Sequence, residues 1–282
     1  MPNPFLPDSD NRMANQTSPD SLRLAAQADL VALTAEMLRS PQAIGNQPMP
    51  PWFTAHVDEF QPLIEQAFGA PGPMDAPDAD EDLSDQAPSP LTAAAWLKEL
   101  FAELHHIASQ LDAQAWSDEY WRLFDGAQAC PLNQASYIRR DKGAILGDLA
   151  GFYNAFGWQP NPDNAERPDH LLSQLEFASM LLAMRATAEN DEAHGIVTDA
   201  LGQFHRHHMN DWLPSVCNQM LATTELEYFA LVSQWLQGLW NSLSKVNAWP
   251  SDDPSEGMLS PLSDPEDPYE CGACPVQLEE KL

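Results

Sequence analysis

An acid, a proline and an Asp-His pair stand together at Glu166-Arg167-Pro168-Asp169-His170, directly before an amphipathic run that begins at Leu171. Carboxylates such as Glu166 and Asp169 can accept the donor fork of an arginine guanidinium. His170 can orient a carboxylate or bond a peptide carbonyl. A plainer role fits the same residues: Asp169 caps its helix and His170 packs in a polar pocket. Spacing alone favours the plainer role. No nucleophile accompanies the pair, and the chain has no P-loop, dinucleotide fingerprint, Gly-x-Ser-x-Gly or glycosidase-type carboxylate pair. The chemistry on offer is recognition rather than catalysis.

Two aromatic blocks precede this one. Tyr120, Trp121 and Phe124 form the first, and Phe152, Tyr153, Phe156 and Trp158 the second. They can line a groove for an apolar peptide, although core packing is the commoner fate of such residues. Trp121 and Tyr153 flank the apolar stripe instead of lying on it, so they are the members expected to reach the surface. The histidines His105-His106 and His205 to His208 are clustered but lack a metal-protease arrangement, which makes a metal site a poor reading. Cys271 and Cys274 have the spacing of half a zinc or redox site. A metal-binding or redox-active helical protein built on that pair therefore stays open as the alternative.

The elements that must position these groups are helices. Apolar residues recur at helical spacing over about Ser21–Arg39, Trp52–Phe68, Leu91–Leu111, Ile138–Phe156, Leu171–Leu182, Asp191–Met209 and Thr224–Leu243. Leu22, Ala26, Leu30, Leu33 and Met37 make the stripe of the first. Pro62 predicts a kink or break in the second. Ser117 is read as the start of a short helix with Asp118 and Glu119 in its first turn. Pro168 is placed in the first turn of the helix that carries Leu171, and Trp212-Leu213-Pro214 closes the helix before it. No strand pattern of useful length occurs. The fold class is all-α, a single-domain helical bundle. Residues 1–19 read as a disordered tail, 20–247 as the helical domain, 69–90 as a flexible acidic insertion within it, and 248–282 as an acidic, proline-rich tail.

Composition narrows the partners. The 282 residues carry 42 acidic and 13 basic side chains, a formal net charge of −29. Such a balance disfavours nucleic acid and anionic membranes, both of which need clustered Lys and Arg. A basic peptide or protein fits the field better. Met1 to Asp20 lacks the basic and apolar regions of a signal peptide, and no run reaches a membrane span, so a cytoplasmic protein without stable membrane insertion is expected.

The blocks together resemble the TorD/DmsD/NarJ family of chaperones for molybdenum-containing redox enzymes. The resemblance is carried by Tyr120-x-x-Leu123-Phe124, by Cys130-Pro131 leading to Ser136-Tyr137, and by Gly151-Phe152-Tyr153-x-Ala155-Phe156-Gly157. It continues through Glu166-Arg167-Pro168-Asp169-His170-Leu171, Leu175-Glu176-Phe177 and Phe204-x-x-x-His208-x-x-x-Trp212-Leu213-Pro214. It spans about Trp116 to Pro214, and both tails and the acidic insertion fall outside it. The resemblance implies an all-helical, non-enzymatic chaperone with no cofactor of its own, a monomer or homodimer. Its partners would be a molybdenum oxidoreductase and that enzyme's twin-arginine signal peptide, held until cofactor insertion and export. It places peptide contacts at Glu166, Pro168, Asp169, His170, Trp121, Phe124, Tyr137, Tyr153 and Glu176. Two departures stand out: Asn133-Gln134 where relatives often carry an acid, and Phe177-Ala178 where they carry a larger second residue.

Overall fold

The structure is a computed structural model that describes residues 18–45, 57–69, 90–125, 129–159 and 167–251. Among them are nine α-helices and no strand: α1 (Pro19–Met37), α2 (Val57–Phe68), α3 (Pro90–Gln110), α4 (Ala113–Phe124), α5 (Lys142–Ala155), α6 (Leu171–Ala186), α7 (Asp191–Phe204), α8 (Leu213–Thr223) and α9 (Glu227–Val246). The all-α expectation is met. The Cys271–Cys274 pair, Glu166 and the acidic insertion up to Ser89 lie outside the described residues.

Helix starts are fixed by short polar side chains. Ser18, Asp112, Asp141 and Asn190 each accept a backbone N–H of the first turn they precede, which satisfies donors the helix cannot bond itself. Asp112 moves the start of α4 four residues ahead of the expected Ser117. Glu119 is consequently mid-helix and 6% exposed, not a first-turn acid. Asp141 likewise starts α5 later than Ile138. Pro168 does not enter α6, because His170 is the cap and Leu171 the first helical residue. Helix α2 runs through Pro62 without a break. Proline in the second turn forfeits one carbonyl bond and leaves the rest of the helix intact. An unexpected helix, α8, follows Trp212, with Pro214 in its opening turn where a missing N–H costs nothing.

Helix α1 packs along α6, α9 lies against α3 and α8, and α2 bridges α1 and α3. The stripe of α1 is carried by Leu24, Leu30, Val31, Leu33 and Met37, whereas Leu22 is 44% exposed at the helix start. The carbonyls that end α1 have no helical donor. Two tyrosines supply it: Tyr228 donates its hydroxyl to Met37 O (3.4 Å) and Tyr120 to Leu38 O (3.1 Å). Gln27, fully buried, donates to Ala67 O and accepts from Asn247 Nδ2, both at 3.0 Å. It joins α1 to the ends of α2 and α9. Gly238 of α9 exists for a close approach, since a Cβ there would collide with the Trp96 ring of α3. Among the described residues no helix is long and apolar enough to cross a membrane.

Candidate functional site

The Asp-His block and the Cys130–Tyr137 loop are folded onto one another. A single antiparallel bridge pairs Asn133 with His170. Gln134 N donates to Asp169 O (2.9 Å), and Leu171 N donates to Leu132 O (2.8 Å). The loop itself closes with a 3₁₀ turn over Gln134–Ser136. Asp169 then locks the pairing with its side chain. Its carboxylate accepts from Asn133 Nδ2 (3.2 Å), Ala135 N (3.1 Å) and Arg167 Nη2 (2.9 Å). Asp169 is 0% exposed. Both oxygens face inward, and Arg167, half-exposed, covers the pair.

The sequence reading kept Asp169 and His170 partly exposed at a helix mouth. The structure corrects this for Asp169, because the bridged loop closes over the carboxylate. Capping falls to His170 instead: its Nδ1 accepts from Leu172 N at 3.2 Å. Burial and then the charge of Arg167 push the His170 imidazole down to about 4, so it is neutral at physiological pH. Pro168 offers its carbonyl to the Tyr153 hydroxyl (2.7 Å), which fastens this turn to α5.

Tyr153 is therefore not the surface residue it was read as. It is 3% exposed, with Trp158 edge-on and Phe177 tilted against its ring at centroid distances of 4.4 and 4.8 Å. Burial raises its hydroxyl above the ordinary phenol range. Tyr137 is fully buried against Trp212 and reaches Cys130 Sγ at 3.8 Å. Phe124 is buried between Tyr120 and Phe229. Trp121 is half-buried, edge-on to Tyr120. Glu176 is half-buried and already paired: Arg39 Nη2 lies 2.6 Å from its Oε1, while Arg39 Nε holds Glu36. The structure brings Tyr153, Pro168, Asp169 and His170 together at one end of α6. Phe124 and Trp121 belong to a separate aromatic cluster on α4 and α9.

Behind the bridge runs a buried polar chain that the sequence reading did not find. Trp212 Nε1 donates to Gln174 Oε1 (3.2 Å) and to His208 O (2.6 Å). Gln174 Nε2 donates to Gln134 Oε1 (2.9 Å), and His208 Nδ1 lies 3.4 Å from that same oxygen. Gln134, Gln174 and His208 are each at most 2% exposed. The signal was available in part: Gln174 sits three residues after Leu171 and four before Ala178, on the buried stripe. His205 and His208 occupy a π-helical turn, His205–Met209, that continues α7. Such a turn lets α7 present both rings inward. His205 Nδ1 accepts from Trp240 Nε1 at 3.0 Å. Burial lowers both imidazoles to about 4, and among the described residues no group of His, Cys, Asp or Glu is arranged to hold a metal. Burial likewise pushes the Cys130 thiol up to about 12 and raises that of Cys217.

The fold is thus an all-α bundle whose Asp-His turn is bridged to a preceding Cys-Pro loop. Residues 90–218 match the family model described as nitrate reductase delta subunit. A chlorate reductase assembly chaperone protein from Ideonella dechloratans is 34% identical over 115 residues, 39% of this chain and 59% of the relative. A selenate reductase assembly chaperone protein from Thauera selenatis is 29% identical over 136 residues, 46% of this chain and 69% of the relative. The alignment thus spans 59% and 69% of the lengths of these relatives.

Proposed function

We propose that this protein is a cytoplasmic assembly chaperone for a molybdenum-containing oxidoreductase and has no catalytic activity of its own. It holds the enzyme's apo-protein, its twin-arginine signal peptide, or both, until the cofactor is in place. The carrying observation is that the family match covers residues 90–218, the segment containing the bridged loop, the Asp-His turn and the buried polar chain. The names of the two relatives point to the same task.

The chemistry suits capture by a rigid surface. Asp169 and Tyr153 hold the turn and the loop in register, so little ordering entropy is lost on binding. The half-buried ring of Trp158, with Pro168 and His170, is the accessible part of the site. A net charge of −29 steers a basic segment toward the surface, an effect that salt screens. The test is calorimetry of the full chain with the twin-arginine peptide of the molybdenum oxidoreductase encoded nearest to it, at low and moderate salt. Micromolar affinity that weakens with salt, and again when both arginines become glutamine, is the expected result. Absence of binding at both salts, with no co-purification of the apo-enzyme, overturns the proposal.

A further inference from the structure

Residues 247–251 form a strap that folds back from the end of α9 onto α7 and its π-turn. Ala248 N donates to Lys245 O (3.2 Å) and Trp249 N to Ser244 O (2.9 Å), the paired bonds of a helix end whose next residue is left-handed. That residue is usually glycine. Here it is Ala248, at φ 50°, the one non-glycine with positive φ among the described residues. The turn buries Trp249 with its ring 5.4 Å from both His205 and Trp240. It also lays Pro250 on Gly202 of α7, where an added Cβ would meet the proline ring at 3.1 Å.

The strap is held against its own costs. A left-handed alanine is disfavoured. Trp249 Nε1 is buried without a hydrogen-bond partner among the described residues, and so is His205 Nε2. An indole only donates, so the bond from Trp240 Nε1 makes His205 Nδ1 an acceptor and leaves the imidazole proton on Nε2. Two buried donors thus lack acceptors in one three-ring cluster. Each offsets much of what burying an aromatic ring contributes. A segment in such balance opens ahead of the fold as a whole.

The element beneath the strap has two registers open to it. Asn210 N donates to His205 O, five residues back, at 2.8 Å, the bond that marks a π-turn. Residues three apart on an α-helix share a face, and the wider turn spreads His205 and His208 to different neighbours. His205 turns to Trp240 and the strap. His208 turns to Gln134 of the bridged loop at 3.4 Å, and its carbonyl accepts from Trp212 Nε1 at 2.6 Å. An α register would pair Asn210 N with Arg206 O and step one flank round by about 100°, so one histidine would lose its partners. Strap and loop therefore hold the same register from two sides.

We propose that the π-turn is a two-position element and the Trp249–Pro250 strap its latch, so that docking of the strap and closure of the Cys130–Tyr137 loop favour one another. Both ends bias one equilibrium, which makes the coupling reciprocal. The strap is also the root of the acidic stretch that begins at Asp252, so a change at the bridged loop reaches the base of the tail. The coupling is a property of the chain alone and does not depend on the peptide-capture reading.

The test is amide hydrogen exchange of the full chain, read by mass spectrometry, in two variants that push the strap in opposite directions without touching the loop. Gly202→Val drives a side chain into Pro250 while favouring the helix over glycine. Ala248→Gly removes the cost of the left-handed backbone. The expected result is exchange at residues 132–137 and 205–210 at least about fivefold faster in Gly202→Val and slower than native in Ala248→Gly. Val57–Phe68 and Pro90–Gln110 stay unchanged in both. In return, Gln134→Leu, which removes the partner of His208, speeds exchange at residues 247–249. Acceleration confined to residues 247–251 in Gly202→Val overturns the proposal. So does an equal rise across α2 and α3 without the opposite response in Ala248→Gly, which marks a general loss of stability, and so does a strap that ignores Gln134→Leu.

Discussion

Asp169→Asn separates a residue that grips a ligand from one that builds the site. The substitution keeps the volume and removes the charge. In the native chain the carboxylate accepts three donors, from Asn133, Ala135 and Arg167, in a position with no solvent exposure. An asparagine has one acceptor oxygen, and its amide must face one of the donors that the second carboxylate oxygen served. The Arg167 pair is half-exposed and worth well under 1 kcal/mol after screening. The bonds from Ala135 N and Asn133 are buried and charge-assisted, and losing their full strength costs about 2–4 kcal/mol. In a domain of this size that corresponds to a fall in melting temperature of roughly 4–16 °C. Thermal denaturation followed by circular dichroism measures it, and hydrogen exchange should show the loss centred on Leu132–Tyr137. A variant with wild-type melting temperature that has lost peptide binding would refute the reasoning, because Asp169 would then be a direct contact and not a fastener.

Three further outcomes follow from the same geometry. His205 and His208 are buried and held near 4, against about 6.5 in an unfolded chain. Between those values the unfolded state binds more protons, so the stability present at pH 7 is lost as pH falls through this window, by about 2 kcal/mol per histidine at pH 5. Melting temperatures from pH 7.5 to 5 should fall less steeply in a His205→Gln/His208→Gln variant, and an unchanged slope would contradict the assignment. Burial alone would raise the Glu119 pKa, but bonds from Arg122, Glu225 N and Thr224 bring the net shift down. Glu119→Gln should destabilise by about 2 kcal/mol and expose the α8–α9 connection to hydrogen exchange, since the native carboxylate holds Thr224 Oγ1 and Glu225 N at 3.0 and 2.6 Å. Cys130 and Cys217, both buried with raised thiol pKa values, should resist alkylation in the folded protein by mass spectrometry and react only after denaturation.

Periodicity made most of the helices readable from sequence. The seam Phe229, Val232, Leu236, Trp240 and Leu243 of α9 is buried as spaced, and Gly157, at φ 64°, sits just past the end of α5. What the sequence hid was polar. Gln134 and Gln174 look like surface residues by type, and only their pairing across α6 makes burial affordable. Trp212-Leu213-Pro214 reads as a terminus because proline ends helices as often as it begins them, and the structure uses it as the start of α8. The residues read as a candidate site come together only in part, and their hydrogen bonds run inward. Tyr153 and Asp169 are side chains that a surface reading would expose, and a bridge between segments about 36 residues apart in sequence buries them. No local pattern encodes such a bridge.

The ion pairs constrain how capture can proceed. Among the described residues, three carboxylates near the site are already committed: Asp169 to Arg167, Glu176 to Arg39 and Asp148 to Arg140. An arriving guanidinium would have to displace an arginine that is tethered in place, and tethering gives the resident group a concentration advantage that a free peptide lacks. On the proposed reading, a basic segment would be attracted by the many other acids that give the chain its charge of −29, acting at a distance. Long-range attraction accelerates encounter, whereas short-range packing governs how long the complex lasts. Rate measurements should thus divide the two: added salt slows association with little change in dissociation. If salt instead acted mainly on dissociation, the bound arginines would be held by close ion pairs, and one of the three internal pairs would have to open on binding.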